Sequence, residues 1–141
     1  SATAAVERIA AAQTADGGSG SRPRGGPQGD STWPRAVLTH GADGMTAVTG
    51  GEVSQFDAFE VETVDATGAG DAFTAGLIDR WIAGASSGTS EDHTGVAAGV
   101  RFAGAVAAIN CTARFTQPGL PTRSEVESFL AERGYSPNGS Q

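Results

Sequence analysis

A chain of 141 residues suffices for one domain and not for two. Sixteen acidic side chains against nine basic ones give a formal charge of −7, which repels polyanions and argues against a nucleic-acid or anionic-membrane role. Every basic residue is arginine, so a Walker-type phosphate loop and Schiff-base chemistry, both of which need lysine, are excluded within this segment.

A hydrophobic fraction of 38%, only 6% aromatic residues and 21 glycines describe a globular chain rich in small side chains, with prominent loops and close helix packing. One cysteine, Cys111, can form neither an internal disulfide nor a thiolate metal site, and a reduced cytoplasm suits it. His40 and His93 stand far apart without a partner motif. No apolar run approaches the ~18 residues of a membrane span, and residues 1–13 show no basic stretch leading into an apolar core. An acidic, lysine-free composition fits a salt-rich cytoplasm or a GC-rich genome equally well.

In chain order, Ser1 to Gln13 reads as a surface helix, with Val6 and Ile9 at helical spacing and Glu7 and Arg8 outward; residual helix is expected over 1–15. Residues 16–34 have the Gly/Pro/Ser composition of a flexible linker, in which Arg22 and Arg24 read as solvated surface rather than as a phosphate-binding pair. Arg35 to Thr39 is a short apolar strand. The turn His40-Gly41-Ala42-Asp43-Gly44 leads to an antiparallel partner at Met45 to Thr49, and Gly50-Gly51 turns the chain into Glu52 to Phe56.

The stretch Val64-Asp65-Ala66-Thr67-Gly68-Ala69-Gly70-Asp71-Ala72-Phe73 organises the rest of the chain. Small residues at 68–70 allow backbone N–H groups to converge, and the helix behind them adds its unpaired first-turn donors and positive dipole end, which together make an anion site. A carboxylate at Asp71 makes little sense for simple phosphate binding, but good sense for a base that deprotonates a hydroxyl attacking a phosphoryl group. As a dinucleotide fingerprint the run fails, because the third glycine position falls on the bulky Phe73. Asp71 as a plain helix cap is the competing reading.

The helix is predicted to run to about Gly84, with Phe73, Leu77, Ile78, Trp81 and Ile82 as one stripe packed on a sheet and Asp79 and Arg80 facing water. Gly84 to Ser90 breaks it. A second helix over His93 to Asn110 is so rich in Ala and Gly that its neighbours must lie close. The loop from Asn110 to Gly119 holds Cys111, which reads as a small buried hydrophobe. Thr122 and Glu125 form a capping box for a last helix with Val126, Phe129 and Leu130 inward and Gly134 at its end; 135–141 should fray.

The run Asp65 to Asp71, with Ala72-Phe73 and Ala75-Gly76 after it, closely resembles the C-terminal signature of the ribokinase, or PfkB, family of carbohydrate kinases. Thr39-His40-Gly41-Ala42-Asp43-Gly44 resembles a second element of that family, and Gly119-Leu120-Pro121-Thr122 its C-terminus. The resemblance covers about residues 35–134. It implies the C-terminal, nucleotide-binding part of a ribokinase-like three-layer α/β/α sandwich, and ATP-dependent phosphorylation of a sugar hydroxyl.

The resemblance further implies Asp71 as base and Gly68, Ala69 and Gly70 in the anion hole, with the amides of residues 69–71 facing the transferring phosphoryl group. Thr39, Gly41, Gly44 and Thr67 would line the nucleotide site. A K⁺ ion would sit among Asp65, Thr67 and the carbonyls of Asn110 and Ala113, and Mg²⁺ would ride on the ATP. It implies small-molecule partners, a cytoplasmic home and, for an intact enzyme, room for a homodimer. The family's N-terminal half, with the sugar-binding residues, finds no match here. The chain reads as a fragment inactive alone, the alternative being a stand-alone nucleotide-binding or regulatory module.

Overall fold

The computed structural model describes residues 36–49, 52–87, 93–114 and 116–136, with residues 4, 6–8 and 11 before them. The described residues among the first 13 are helical, with Val6 buried and Glu7 and Arg8 exposed, as their spacing predicts. The linker-like segment 16–34, the Gly50-Gly51 turn and residues 137–141 lie outside the described residues.

Strands β1 (Ala36–Thr39), β2 (Met45–Thr49) and β3 (Glu52–Phe56) form an antiparallel sheet in the order β1-β2-β3. The register sets Thr39 opposite Met45, and Met45 opposite Phe56. A 3₁₀ turn over Gly41–Asp43 joins β1 to β2, closed by the His40 N–H donating to Gly44 O at 2.8 Å. Gly44, at φ 99°, must be glycine, because a Cβ there would run into the Phe56 carbonyl oxygen. Alternation along β2 puts Met45 and Ala47 on one face and Thr46 and Val48 on the other, and all four are buried. The strand is therefore covered on both sides, as a layered α/β architecture requires.

Two long helices, α1 (Ala69–Ser87) and α2 (His93–Cys111), pack on each other, followed by a short α3 (Thr116–Gly119) and α4 (Arg123–Glu132). Helix α2 is central. Val96, Val100 and Ala103 join Met45, Ala47 and Phe73 in one core, while Phe102, Ala105 and Val106 join Ala72, Val126 and Leu130 in another. The predicted closeness is real: a Cβ at Gly76 would lie 3.0 Å from Ala103 Cα and from Val106 Cγ2. Helix α4 carries its capping box, with Thr122 N–H donating to Glu125 Oε2 (2.6 Å) and Glu125 N–H donating to Thr122 Oγ1 (3.3 Å). Gly134, at φ 81°, ends it.

Three expectations need correction. The stripe on α1 is buried only at its start: Phe73 is covered and Leu77 half-buried, whereas Ile78, Trp81 and Ile82 are 46%, 50% and 62% exposed. The face that α1 turns to its neighbours is built from Ala72, Phe73, Gly76 and Leu77, and it meets α2 chiefly rather than the sheet. Asp79 and Arg80, expected in water, are both engaged. Asp79 Oδ1 accepts from Arg123 Nη2 at 2.7 Å, and the Arg80 guanidinium lies 5.4 Å from the Phe102 ring centroid. The ion pair is about half exposed, so its worth is small. Finally, Tyr135 is held rather than frayed, its N–H donating to Leu130 O at 3.0 Å.

Candidate functional site

The signature loop is shaped by its own backbone. Asp65 Oδ1 accepts from Thr67 N–H at 2.9 Å, the side-chain turn typical of Asp. Ala69 N–H donates to Ala66 O at 3.2 Å, closing a β-turn whose third residue, Gly68, has φ 80°. That position demands glycine. The helix ladder of α1 then opens with Ala72 N–H donating to Gly68 O at 2.9 Å.

These bonds correct the expected anion hole. The Ala69 amide is consumed by the turn, leaving the Gly70 and Asp71 amides as first-turn donors, and neither bonds to a described residue. A Cβ at Gly70 would meet no atom within 4 Å, so the space above this helix end is open. The Asp71 side chain is exposed beside it.

The loop is tied to the end of α2 at Cys111 O, which accepts from both Val64 N–H (2.8 Å) and Asp65 N–H (3.1 Å). This brings Asp65 beside Cys111, next to Asn110 in the chain. Carboxylate, threonine and carbonyl oxygens are hard donors, which suits K⁺. Asn110 is buried under Gly119, where a Cβ would lie 2.9 Å from Asn110 O, and that same oxygen accepts from Ala113 N–H at 3.3 Å. Burial first, and the Asp65 carboxylate second, raise the pKa of the Cys111 thiol. Among the described residues no group of three or more His, Cys, Asp or Glu side chains could hold a metal ion.

A cavity of about 730 Å³ joins these parts. Thr39, Gly41, Ala42 and Gly44 line one side, and Ala66, Ala69 and Gly70 another, so the two glycine-bearing phrases, far apart in sequence, share one concavity. Gly104, Ala107, Ala108 and Cys111 of α2 form a floor of small side chains, and Met45, Phe59 and Phe73 give apolar walls. Gly68, Asp71, Thr67 and Asp65 are outside the lining, although each lies within a few residues of it. Sequence reasoning missed Phe59, Met45 and Gly104, and took Cys111 for core. A glycine amid alanines at 104 was the available signal: a Cβ there would lie 3.1 Å from Met45 Sδ and 3.6 Å from Phe59 Cε2.

The pfkB family carbohydrate kinase profile matches residues 29–123, and the chain belongs to this family. It is similar to the fructokinase of Escherichia coli, 37% identical over 92 residues, which are 65% of this chain and 29% of that protein. It is also similar to aminoimidazole riboside kinase from Salmonella enterica, whose structure is a complex with aminoimidazole riboside and an ATP analog. There the TM-score is 0.58 at 33% identity, over 67% of this chain and 31% of that one. A fructokinase double mutant from Vibrio cholerae O395, bound to fructose, ADP and potassium ion, gives a TM-score of 0.57 at 28% identity, over 67% of this chain and 29% of that one. The chain thus spans less than a third of the length of these relatives and carries part of a ribokinase-like α/β fold. No helix among the described residues is long and apolar enough to cross a membrane.

Proposed function

We propose that this chain is the nucleotide-binding and proton-accepting part of a cytoplasmic kinase that phosphorylates a hydroxyl of a sugar or sugar-like acceptor from ATP. The observation that carries the reading is the pair of free amides at Gly70 and Asp71, opening α1 at the edge of a cavity also lined by Thr39, Gly41 and Gly44. ATP lies in that cavity with its terminal phosphate at the helix end. As the acceptor oxygen bonds to phosphorus and the bond to the bridging oxygen of ADP breaks, the Asp71 carboxylate takes the hydroxyl proton. The two amides and the dipole of α1 stabilise charge on the equatorial oxygens. Mg²⁺ arrives with the nucleotide. Asp65, Thr67 and the carbonyls of Asn110 and Ala113 would hold a K⁺ ion, which would supply positive charge near the loop.

The test exploits the open space at Gly70. In Gly70→Val the added Cβ meets no atom within 4 Å, so the chain is expected to stay folded. Losing charge-assisted phosphate contacts weakens ATP·Mg²⁺ binding roughly tenfold to a hundredfold, read by isothermal titration calorimetry. Unchanged affinity sinks the assignment. The second reading is a non-catalytic nucleotide-binding or regulatory module derived from such a kinase. The codons upstream of Ser1 separate the two: an open frame encoding the rest of a kinase favours the enzyme, and an authentic start site favours the module.

A further inference from the structure

Phe59 forms part of the cavity wall, yet nothing in its own segment fixes it, since residues 57–63 belong to no helix or strand. Its ring is gripped from the other side of the wall. Phe129 of α4 meets it edge-on at 5.4 Å between centroids and 79° between planes, and Tyr135 meets it at 5.8 Å and 90°. Tyr135 is in turn fixed twice: by its backbone bond to Leu130 O beyond the Gly134 turn, and by the Arg101 guanidinium of α2, 5.2 Å from its ring centroid. The same guanidinium lies 5.5 Å from the Phe56 ring centroid, at the end of β3. One chain of ring and guanidinium contacts, running from Phe56 through Arg101 and Tyr135 to Phe59, therefore bridges the start of the segment 57–63.

We propose that Tyr135, beyond the last helix, is a positioning residue for the cavity: through Phe59 it sets the apolar wall against which the bound nucleotide rests. The proposal builds on the nucleotide reading of the same cavity. Phe59 and Met45 converge over Gly104 at the cavity floor, so a change in the Phe59 ring reaches both the ligand and the methyl group of the chain's one methionine. Edge-to-face pairs of this kind are worth enough to change affinity roughly three- to tenfold when the ring they hold is released.

The experiment measures ATP·Mg²⁺ affinity by calorimetry, together with the ¹³C-methyl resonance of Met45 in the ligand-free chain. Tyr135→Ala weakens ATP binding by that factor and moves the Met45 resonance. Tyr135→Phe, which keeps the ring and its contacts with Phe59 and Arg101, restores both signals, a rescue that general destabilisation would not produce. Should Tyr135→Ala fail to fold, Tyr135→Leu keeps an apolar side chain without a ring edge and is read the same way. A folded Ala or Leu variant with unaltered affinity and an unmoved Met45 signal overturns the proposal. If the parent chain itself binds no ATP, the nucleotide reading falls, while the Met45 resonance alone still decides whether Tyr135 shapes the wall.

Discussion

The two long helices, each of 19 residues, use their side chains in opposite ways. Helix α2 is lined with Ala, Gly and Val, and its sides are taken up by β2, α1 and α4; Val100, Ala103 and Ala105 are wholly buried. Helix α1 carries the larger apolar residues, yet leaves Ile78, Trp81 and Ile82 about half exposed or more. The difference teaches that size of side chain and depth of burial are separate matters. Small residues let neighbours approach α2 from several sides, whereas α1 is covered mainly along its first half, at Ala72, Phe73, Gly76 and Leu77. Packing is concentrated in α2, and the chemistry proposed above in the first turn of α1.

That division can be broken at either helix. The largest effect belongs to Asp71→Asn: in an assembly of this chain that turns over a sugar, the phosphorylation rate falls about 10²- to 10⁴-fold while ATP affinity is kept. Because Asp71 is exposed, its thermal midpoint should hardly move. Near-normal turnover removes it as base. Next comes Gly76→Leu, which forces a side chain against Ala103 and Val106 and should cost about 1–3 kcal/mol in urea unfolding. A variant as stable as the parent would show that the two helices have room to spare where they cross.

Much of this organisation was legible in the residues. The strands, the turn glycines, both long helices and the Thr122–Glu125 cap follow from local chemistry, since each depends on neighbours close in sequence. The outward stripe of α1 was not legible, because helical spacing says which residues share a face and not what covers it. The Ala69 amide is a similar case: a run of small residues announces converging N–H groups, but only the turn back to Ala66 O shows that one is already used. Phe59 and Tyr135 meet across 76 positions of sequence, a contact that no local pattern reports.

Two smaller measurements sharpen the same contrast. Ile82→Ser on the open side of α1 should shift unfolding by no more than about 0.5 kcal/mol in the chain on its own. A larger loss would mean that this side is covered in solution. Smallest of all is the cap of α4. Backbone and side-chain hydrogen bonds from Thr122 lower the pKa of Glu125, so the cap's contribution is full above the ordinary carboxylate range and is lost as pH falls through the depressed folded value. Thermal midpoints of the parent chain and Glu125→Gln should therefore converge toward acid pH, and parallel curves would rule the cap out as a titrating element.

Cys111 O, accepting two amides at once, has a consequence for how the molecule opens. Val64 and Asp65 trade their protons with solvent only when both leave that one carbonyl, so these two amides should share one exchange rate and open together as a single unit of local unfolding.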